Sequence, residues 1–361
     1  MNICFLLGGF TSNGGIGRVT SILANTLCND DKYRVYSLSY FNNGRDNLYN
    51  LDKKVQQNFL FEDPLNMAKG ILRGGILKLR KYFKKNNIDV VIACGALYFP
   101  IVVLSCKGLK TKCICWEHSN AQNSKDHSFQ SFCRWVGAKN SDLVVTLTKH
   151  DKQNYIDKYH IKNVKQIYNP IDEEIFNYAH QYNINSKKLL SVGRLSYPKN
   201  FGMLIDIAKE VLVENPDWTW DIYGEGALKD ELENKIKEYG LEKRITLKGQ
   251  VNNLYSLYNE YSLLIMTSRY EGFPMTLLEG IAQGLPLISF DVLTGPNEII
   301  EHCINGYLIK PFDTDQMISS TNYLINNSEK RREMSENSKV KCGDFKLSEI
   351  IVQWKQLIDA L

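Results

Sequence analysis

Two glutamates separated by seven residues, Glu271 and Glu279, flank a Gly-Phe-Pro turn and an apolar run in SRYEGFPMTLLEGIAQGLPLI, residues 268 to 288. Pro274 suits the start of a helix, and Gly284 with Pro286 suits its end. Glu271 then falls in the loop ahead of the helix and Glu279 one to two turns inside it. Were all eight steps helical, the pair would stand about 12 Å apart along the axis and about 80° apart around it. That exceeds the ~5 Å of a double-displacement carboxylate pair and suits two ends of one extended ligand. Between them, a helix N-terminus would leave the N–H groups of Met275, Thr276 and Leu277 free as an anion site. A carboxylate near each end of a phosphate cradle fits a sugar nucleotide, with Glu279 on ribose hydroxyls and Glu271 on the sugar. Taken in isolation, such a pair is more often part of an ordinary exposed helix.

A second stretch changes that weighing. In SVGRLSYPKNF (191–201) an apolar run ends at a glycine, and Arg194 and Lys199 follow before a helical pattern. Two cations there could clamp a diphosphate, Arg by its fork and Lys as a point charge, or could be solvated loop cations. FLLGGFTSNGGIGRVTSIL (5–23) is a Gly-rich strand-to-helix turn around Gly15, where backbone can approach phosphate or simply turn. His118 closes KCICWEH at the end of an apolar run, and on its own can be a helix-cap or core histidine satisfied by hydrogen bonds. Asp313 and Asp315 form the chain's Asp-x-Asp, for which helix capping is a simpler account than metal binding.

These candidates need elements to hold them at strand ends. Apolar runs at 2–8, 33–40, 89–95, 112–118 and 142–148 read as strands, with a helix over 15–27 and a long one over about 65–86. The pattern restarts at 188–195, then 218–224, 244–249, 262–268 and 285–291, with helices at about 200–213, 227–239, 275–283 and 314–326. Short apolar strands alternating with helices predict parallel sheets covered on both faces. The expected class is α/β: two Rossmann-like doubly wound domains facing across a cleft. The expected bounds are 1–168, a polar linker over 169–187, a second domain over 188–342, and helices over 329–342 and 345–360. Ligands of such sheets bind beyond the strands' carboxyl ends, which is where His118, Arg194 and Glu271 fall.

At this point the motifs carry a resemblance. GGIGRV, Glu-His at 117–118, VGRL with Lys-Asn at 193–200, YGEG at 223–226, EGFPMTLLEG at 271–280, TGPNEII at 294–300 and NGYLI at 305–309 resemble the retaining glycosyltransferases of family 4. The match runs from the N-terminus to about residue 310 in family order, and its second half is the more specific. It implies the GT-B fold, with the last helix, over 343–361, crossing back to the first domain. It implies Glu279 on ribose hydroxyls, Arg194 and Lys199 neutralising the departing diphosphate, and Glu271 on the transferred sugar. Gly224 of YGEG and the backbone of Phe273, Pro274, Met275, Thr276 and Leu277 would line the donor. Gly15 would admit the donor phosphates, and His118 would stand near the reacting sugar. Such enzymes keep the anomeric configuration and need neither metal nor separate cofactor. The implied donor is a nucleoside-diphosphate sugar, with UDP the expected nucleotide. The implied acceptor is a glycan, lipid-linked, in bacterial capsule, lipopolysaccharide or related surface-polysaccharide synthesis. A non-catalytic partner subunit of the same fold is the alternative.

Other classes fit less well. Thr20 stands where the third glycine of a dinucleotide fingerprint would fall, and YRVYSLSY ends without an acid to hold a ribose. A formal net charge of +4 does not call for nucleic acid. Nine scattered cysteines without a CxxC read as buried reduced thiols. No basic region precedes ICFLLGGF, so no secretory signal and a cytoplasmic protein are expected. The uncharged stretch 90–106 reads as strand, turn and helix rather than a membrane span. KGILRGGILKLRKYFKKNN (69–87) carries seven basic residues and no acid, with Leu72, Ile76, Leu79 and Phe83 on one helical face. Its apolar stripe can pack inward while its cations meet an anionic membrane, which predicts peripheral attachment to the cytoplasmic leaflet.

Overall fold

Parallel strands covered on both faces need apolar runs without alternation, and VVIAC, LVVT and LLIM are three such runs, each buried throughout. The computed structural model describes residues 1–361 apart from 11–13, 43–48, 64–65, 121–127, 179 and 252, and apart from the side chains of 67, 68 and 72. Residues 11–13 of the Gly-rich turn therefore lie outside the described residues. The chain divides into two units: Met1–Pro170 with Ser348–Leu361, and Ile171–Leu347.

The first unit holds a seven-stranded parallel sheet: β1 (Asn2–Leu7), β2 (Arg34–Phe41), β3 (Gln56–Phe61), β4 (Val90–Cys94), β5 (Lys112–Trp116), β6 (Leu143–Thr146) and β7 (Val164–Gln166). Their order is β3-β2-β1-β4-β5-β6-β7. The second unit repeats the plan with β8 (Lys188–Val192), β9 (Thr219–Tyr223), β10 (Ile245–Gly249), β11 (Leu263–Met266), β12 (Leu287–Phe290) and β13 (Gly306–Ile309), ordered β10-β9-β8-β11-β12-β13. Each order reverses direction once, between β1 and β4 and between β8 and β11. A doubly wound sheet opens its ligand crevice at such a reversal. The α/β class of two Rossmann-like units is as expected from the sequence.

Several boundaries differ from expectation, each for a physical reason. β3 was not foreseen because it is an edge strand, exposed over its first four residues and so without an apolar run. β7 has three residues, and β13 opens on Gly306, where a Cβ would meet the Leu287 carbonyl oxygen at 2.1 Å. The helix expected over 65–86 is two, Met67–Leu72 and Gly75–Lys85, broken at Gly74 in the left-handed conformation (φ 76°). The stretch expected as a linker belongs to the second unit from Ile171 onward. There Ile175 is fully buried, Tyr182 donates to the Ser262 carbonyl at 2.8 Å, and Arg331 donates to the Ile184 carbonyl at 2.9 Å. Its anchors are spaced contacts inside a polar segment, which carry no periodic signal.

The final helix, Leu347–Asp359, joins the first unit from Ser348. Its Trp354 is fully buried, edge-on to Trp116 at 4.9 Å, and Lys355 pairs with Asp30 at 2.6 Å. The uncharged stretch 90–106 forms β4, a 3-10 turn and helix Phe99–Cys106. Among the described residues no helix is long and apolar enough to cross a membrane. Each cysteine is free, and all but Cys303 are buried.

Candidate active site

Loops after β8, β9 and β11 build the second unit's site. After β8 the chain passes Gly193 and the exposed Arg194, then makes a 3-10 turn at Tyr197–Lys199 before helix Phe201–Glu214. Gly224 lies against this loop with φ 140°, and a Cβ there would stand 1.9 Å from the Gly193 carbonyl oxygen. Glycine is therefore required for packing at Gly224. Backbone bonds secure the join, Gly193 N–H to Tyr223 O at 2.9 Å and Leu195 N–H to Glu225 O at 3.0 Å. The side chain of Lys199 runs beside Gly193, where a Cβ would meet its Cδ at 3.2 Å.

The loop after β11 is tied to that turn. Arg269 N–H donates to the Pro198 carbonyl at 2.8 Å, and the Thr267 hydroxyl donates to the Asn200 carbonyl at 3.3 Å. This brings Lys199 and Glu271, 72 residues apart in sequence, to a 2.5 Å ion pair with side chains 22% and 11% exposed. Thr294 of TGPNEII donates to the Glu271 carbonyl at 2.6 Å. Gly295, at φ 97°, lies where a Cβ would meet Pro274 Cδ at 2.5 Å. The Glu271 loop is thus held from behind by a segment that follows β12.

Helix Met275–Ala282 begins after the buried Phe273 and Pro274, with Pro274 as its cap residue. One expectation is corrected here. Leu277 N–H is not free but donates to the Pro274 carbonyl at 3.1 Å, a carbonyl that Leu278 N–H shares at 3.4 Å. The first turn closes tightly on that carbonyl, as helix ends commonly do. The N–H groups of Met275 and Thr276 carry no hydrogen bond among the described residues. The enclosed Thr276 hydroxyl also has no partner among them. Glu279 is buried, and the fully buried Tyr258 donates to its Oε2 at 2.6 Å. Sequence reasoning missed Tyr258, which lies in a polar 3-10 segment, Tyr255–Glu260, without a motif around it.

The first unit carries Gly15 and His118. Gly15 is exposed at the first position of helix Gly15–Leu27, and the preceding Gly14 N–H donates to the Tyr49 hydroxyl at 3.1 Å. His118 follows β5, its ring 4.1 Å from that of Trp116. Its Nε2 is enclosed and has no hydrogen-bond partner among the described residues. Burial pushes the imidazole down to about 3, against a smaller opposing pull from Glu117, so the ring is neutral at physiological pH. Glu117 itself is fully enclosed. Arg134 Nε donates to it at 2.7 Å, Tyr155 at 2.8 Å and the Ser119 hydroxyl at 2.8 Å. Burial works to raise this carboxyl, but Arg134 and the hydrogen bonds outweigh it and hold the group below its usual range. Arg134 and Tyr155 were also not foreseen, because neither belongs to a short motif.

Asp313 caps helix Thr314–Asn326 by accepting from Gln316 N–H at 3.0 Å, the role that sequence reasoning preferred for Asp-x-Asp. Among the described residues, no three His, Cys, Asp or Glu side chains gather in a way that could hold a metal.

Two family models match the chain with this geometry in place. Residues 13–175 match Glycosyltransferase Family 4, and residues 172–341 match Glycosyl transferases group 1. The chain belongs to glycosyltransferase family 4. This family 4 transferase is 29% identical over 373 residues to the amylovoran biosynthesis glycosyltransferase AmsD of Erwinia amylovora, covering 99% of both chains. It is 28% identical over 368 residues to a Campylobacter jejuni enzyme, covering 99% of this chain and 98% of that one. The C. jejuni enzyme is named as an alpha-1,4-N-acetyl-D-galactosaminyltransferase acting on a diNAcBac-PP-undecaprenol-linked glycan. In fold this chain is similar to Anabaena HepE, solved with UDP (TM-score 0.80, 19% identity, all of both chains). It is likewise similar to S. aureus TarM, solved with UDP among its ligands (TM-score 0.82, 15% identity, 99% of both chains).

Proposed function

We propose that this transferase moves a hexose or N-acetylhexosamine, with retention of anomeric configuration, from a UDP-sugar to a lipid-linked glycan during bacterial surface-polysaccharide synthesis. One observation carries the reading. At the reversal point of the second sheet, Lys199 and Glu271 are paired just ahead of a helix whose first N–H groups are open and whose Glu279 is buried. This is an anion site between two carboxylates, one of them holding a cation. The activities for which the E. amylovora and C. jejuni relatives are named, and UDP in the HepE and TarM crystals, support the same reading.

In the proposed step the anomeric carbon exchanges its bond to the distal phosphate oxygen for one to the acceptor oxygen. The acceptor hydroxyl's proton passes to the departing diphosphate. No side chain needs to become covalently attached. Lys199 and Arg194 neutralise charge that grows on the leaving group, so the reading is metal-independent and names no separate cofactor. Glu271 holds the Lys199 ammonium until the diphosphate replaces it and then contacts the sugar. Glu279, oriented by Tyr258, takes the ribose hydroxyls. Met275 and Thr276 N–H groups face the phosphates, with Phe273, Pro274 and Leu277 as backbone lining. Gly224 keeps the loop after β8 in place. In the first unit, Gly15 and His118 hold the corresponding family positions, with the neutral imidazole available as a hydrogen-bonding group. The reading also takes the protein to be cytoplasmic and peripherally attached to an anionic membrane through residues 69–87.

Thermal-shift measurements against UDP, GDP, ADP and NAD, with and without EDTA, test the core of this. A native-state ligand raises the melting temperature by mass action. The expected result is a UDP-selective rise that survives EDTA and disappears in Glu279→Ala. A rise with NAD alone, or a UDP effect abolished by EDTA, would overturn it.

A further inference from the structure

The inward stripe foreseen for the basic stretch does pack inward: Leu79 and Phe83 are fully buried. An apolar anchor for a membrane must therefore come from elsewhere, and the neighbouring helices supply one. Helix Gly75–Lys85 packs on helix Phe99–Cys106, which packs on helix Phe129–Asn140. Close contact is set at Gly75, where a Cβ would meet Ile101 Cδ1 at 2.8 Å, and at Gly137, where one would meet the Phe99 ring at 2.6 Å. Arg80 ties the first two helices by donating to the Ser105 and Lys107 carbonyls at 3.0 and 2.6 Å.

The third helix buries Cys133, Val136 and Ala138 and turns its aromatics outward. Phe129, Phe132 and Trp135 are 52%, 53% and 49% exposed, and successive rings lie 6.5 and 6.1 Å apart. Leu104 and Leu77 are exposed on the other two helices. Isolated exposed apolar residues are ordinary, whereas a ladder of three touching aromatics is a patch that asks for a partner. The three helices contain no Asp or Glu. Lys81, Lys84 and Lys85 are exposed on the first, Lys107 just past the second and Lys139 on the third. Exposed acids flank the three helices: Glu62 and Asp63 after β3, Asp89 ahead of β4, where it accepts from Asn2 N–H at 2.7 Å, Asp142 ahead of β6, where it pairs with Lys112 at 3.0 Å, and Asp157 on the following helix, Lys149–Tyr159. Exposed cations and aromatics on helices that carry no carboxylate of their own complement an anionic lipid surface: headgroup phosphates for the lysines, the headgroup boundary for Trp and Phe.

We propose that the outer face of these three helices docks on an anionic bilayer, with the Phe129, Phe132 and Trp135 ladder inserted at the boundary between headgroups and acyl chains. The proposal rests on the peripheral-attachment reading above and relocates its apolar part from residues 69–87 to the helix after β5. Lysines alone would give a weak, salt-sensitive hold; the ladder adds a component that salt does not screen.

The test uses the full chain with vesicles of phosphatidylcholine and of phosphatidylcholine mixed with phosphatidylglycerol, without any glycan acceptor. Co-sedimentation with the mixed vesicles is expected, weakened about fivefold for each lysine replaced in the series Lys81→Ser, Lys84→Ser, Lys85→Ser. Phe132→Ser with Trp135→Ser should reduce binding by about tenfold or more and leave the remainder fully salt-sensitive. Should that double variant fail to fold, brominated lipid provides the second arm: it should quench wild-type tryptophan fluorescence, and Trp135→Phe should remove the quenching. Equal binding to both vesicle types, unaltered binding in the ladder variant, or quenching that survives Trp135→Phe would overturn the proposal. So would a wild-type dimer that ladder substitution dissolves while vesicles stay unbound, because a second copy would then be the occupant. The UDP shift is read on the same variants and should not change, so loss of docking and loss of donor binding are separate results.

Discussion

Glu117 in the first unit and Glu271 in the second each sit beside a cation, under very different terms. Glu117 and Arg134 have side chains 1% exposed, and the carboxylate also accepts from Tyr155 and Ser119. Every lone-pair direction is used, and nothing can enter without leaving a buried charge unpaired. Glu271 and Lys199 are 11% and 22% exposed, close to an open helix N-terminus. That pair is accessible, and in the proposed reading a ligand anion replaces one partner. The contrast separates an ion pair that fixes a loop from one that can serve a reaction.

The largest expected effect breaks the closed pair. Arg134→Leu should destabilise the protein by about 3–5 kcal/mol, since it strands Glu117 in a dry site. Chemical denaturation measures this, and a loss no larger than that of a surface substitution would show that Glu117 is not locked. Breaking the open pair should act on rate instead. Lys199→Ala is expected to lower kcat by about 10²–10³-fold with little change in donor affinity, as befits a charge needed mainly in the transition state. Steady-state kinetics decides, and a pure KM effect would make Lys199 a binding residue only.

A finer comparison removes a support rather than a charge. Tyr258→Phe deletes one hydrogen bond to Glu279 and should raise the donor KM about tenfold while kcat holds. An unchanged KM would mean that helix packing alone orients the carboxylate. The smallest effect concerns pH. His118 has a folded value of about 3 against an ordinary 6.5. Between those values the unfolded chain binds a proton that the folded chain refuses, so stability falls as pH drops from 6.5 toward 3. His118→Asn should flatten the decline of the melting temperature between pH 6.5 and 5. An identical slope in both proteins would place the titration elsewhere.

Short apolar strands were legible in the sequence because burial on both faces demands a brief apolar run bounded by turn residues. The turn-and-helix motif around Glu271 and Glu279 was legible too, since Pro and Gly punctuate it. The edge strand β3 was not, because an exposed strand needs no apolar run. Tyr258, Arg134 and Tyr155 were invisible for another reason: each acts through a partner 17 to 38 residues away, and local pattern does not encode such pairings.

Local chemistry, then, settled where the central apolar strands lie, where the helix after Glu271 begins and which residues could carry charge to a phosphate. Those follow from backbone preferences and burial over a few neighbours. Which charges meet was settled by topology. The strand order brings the ends of β8 and β11 side by side, so Lys199 reaches Glu271 across 72 residues. The order β4-β5-β6 lays three acid-free helices in one layer. A crossover that reverses direction within a sheet sets both arrangements, and it is a property of the whole packed unit rather than of any short stretch in it.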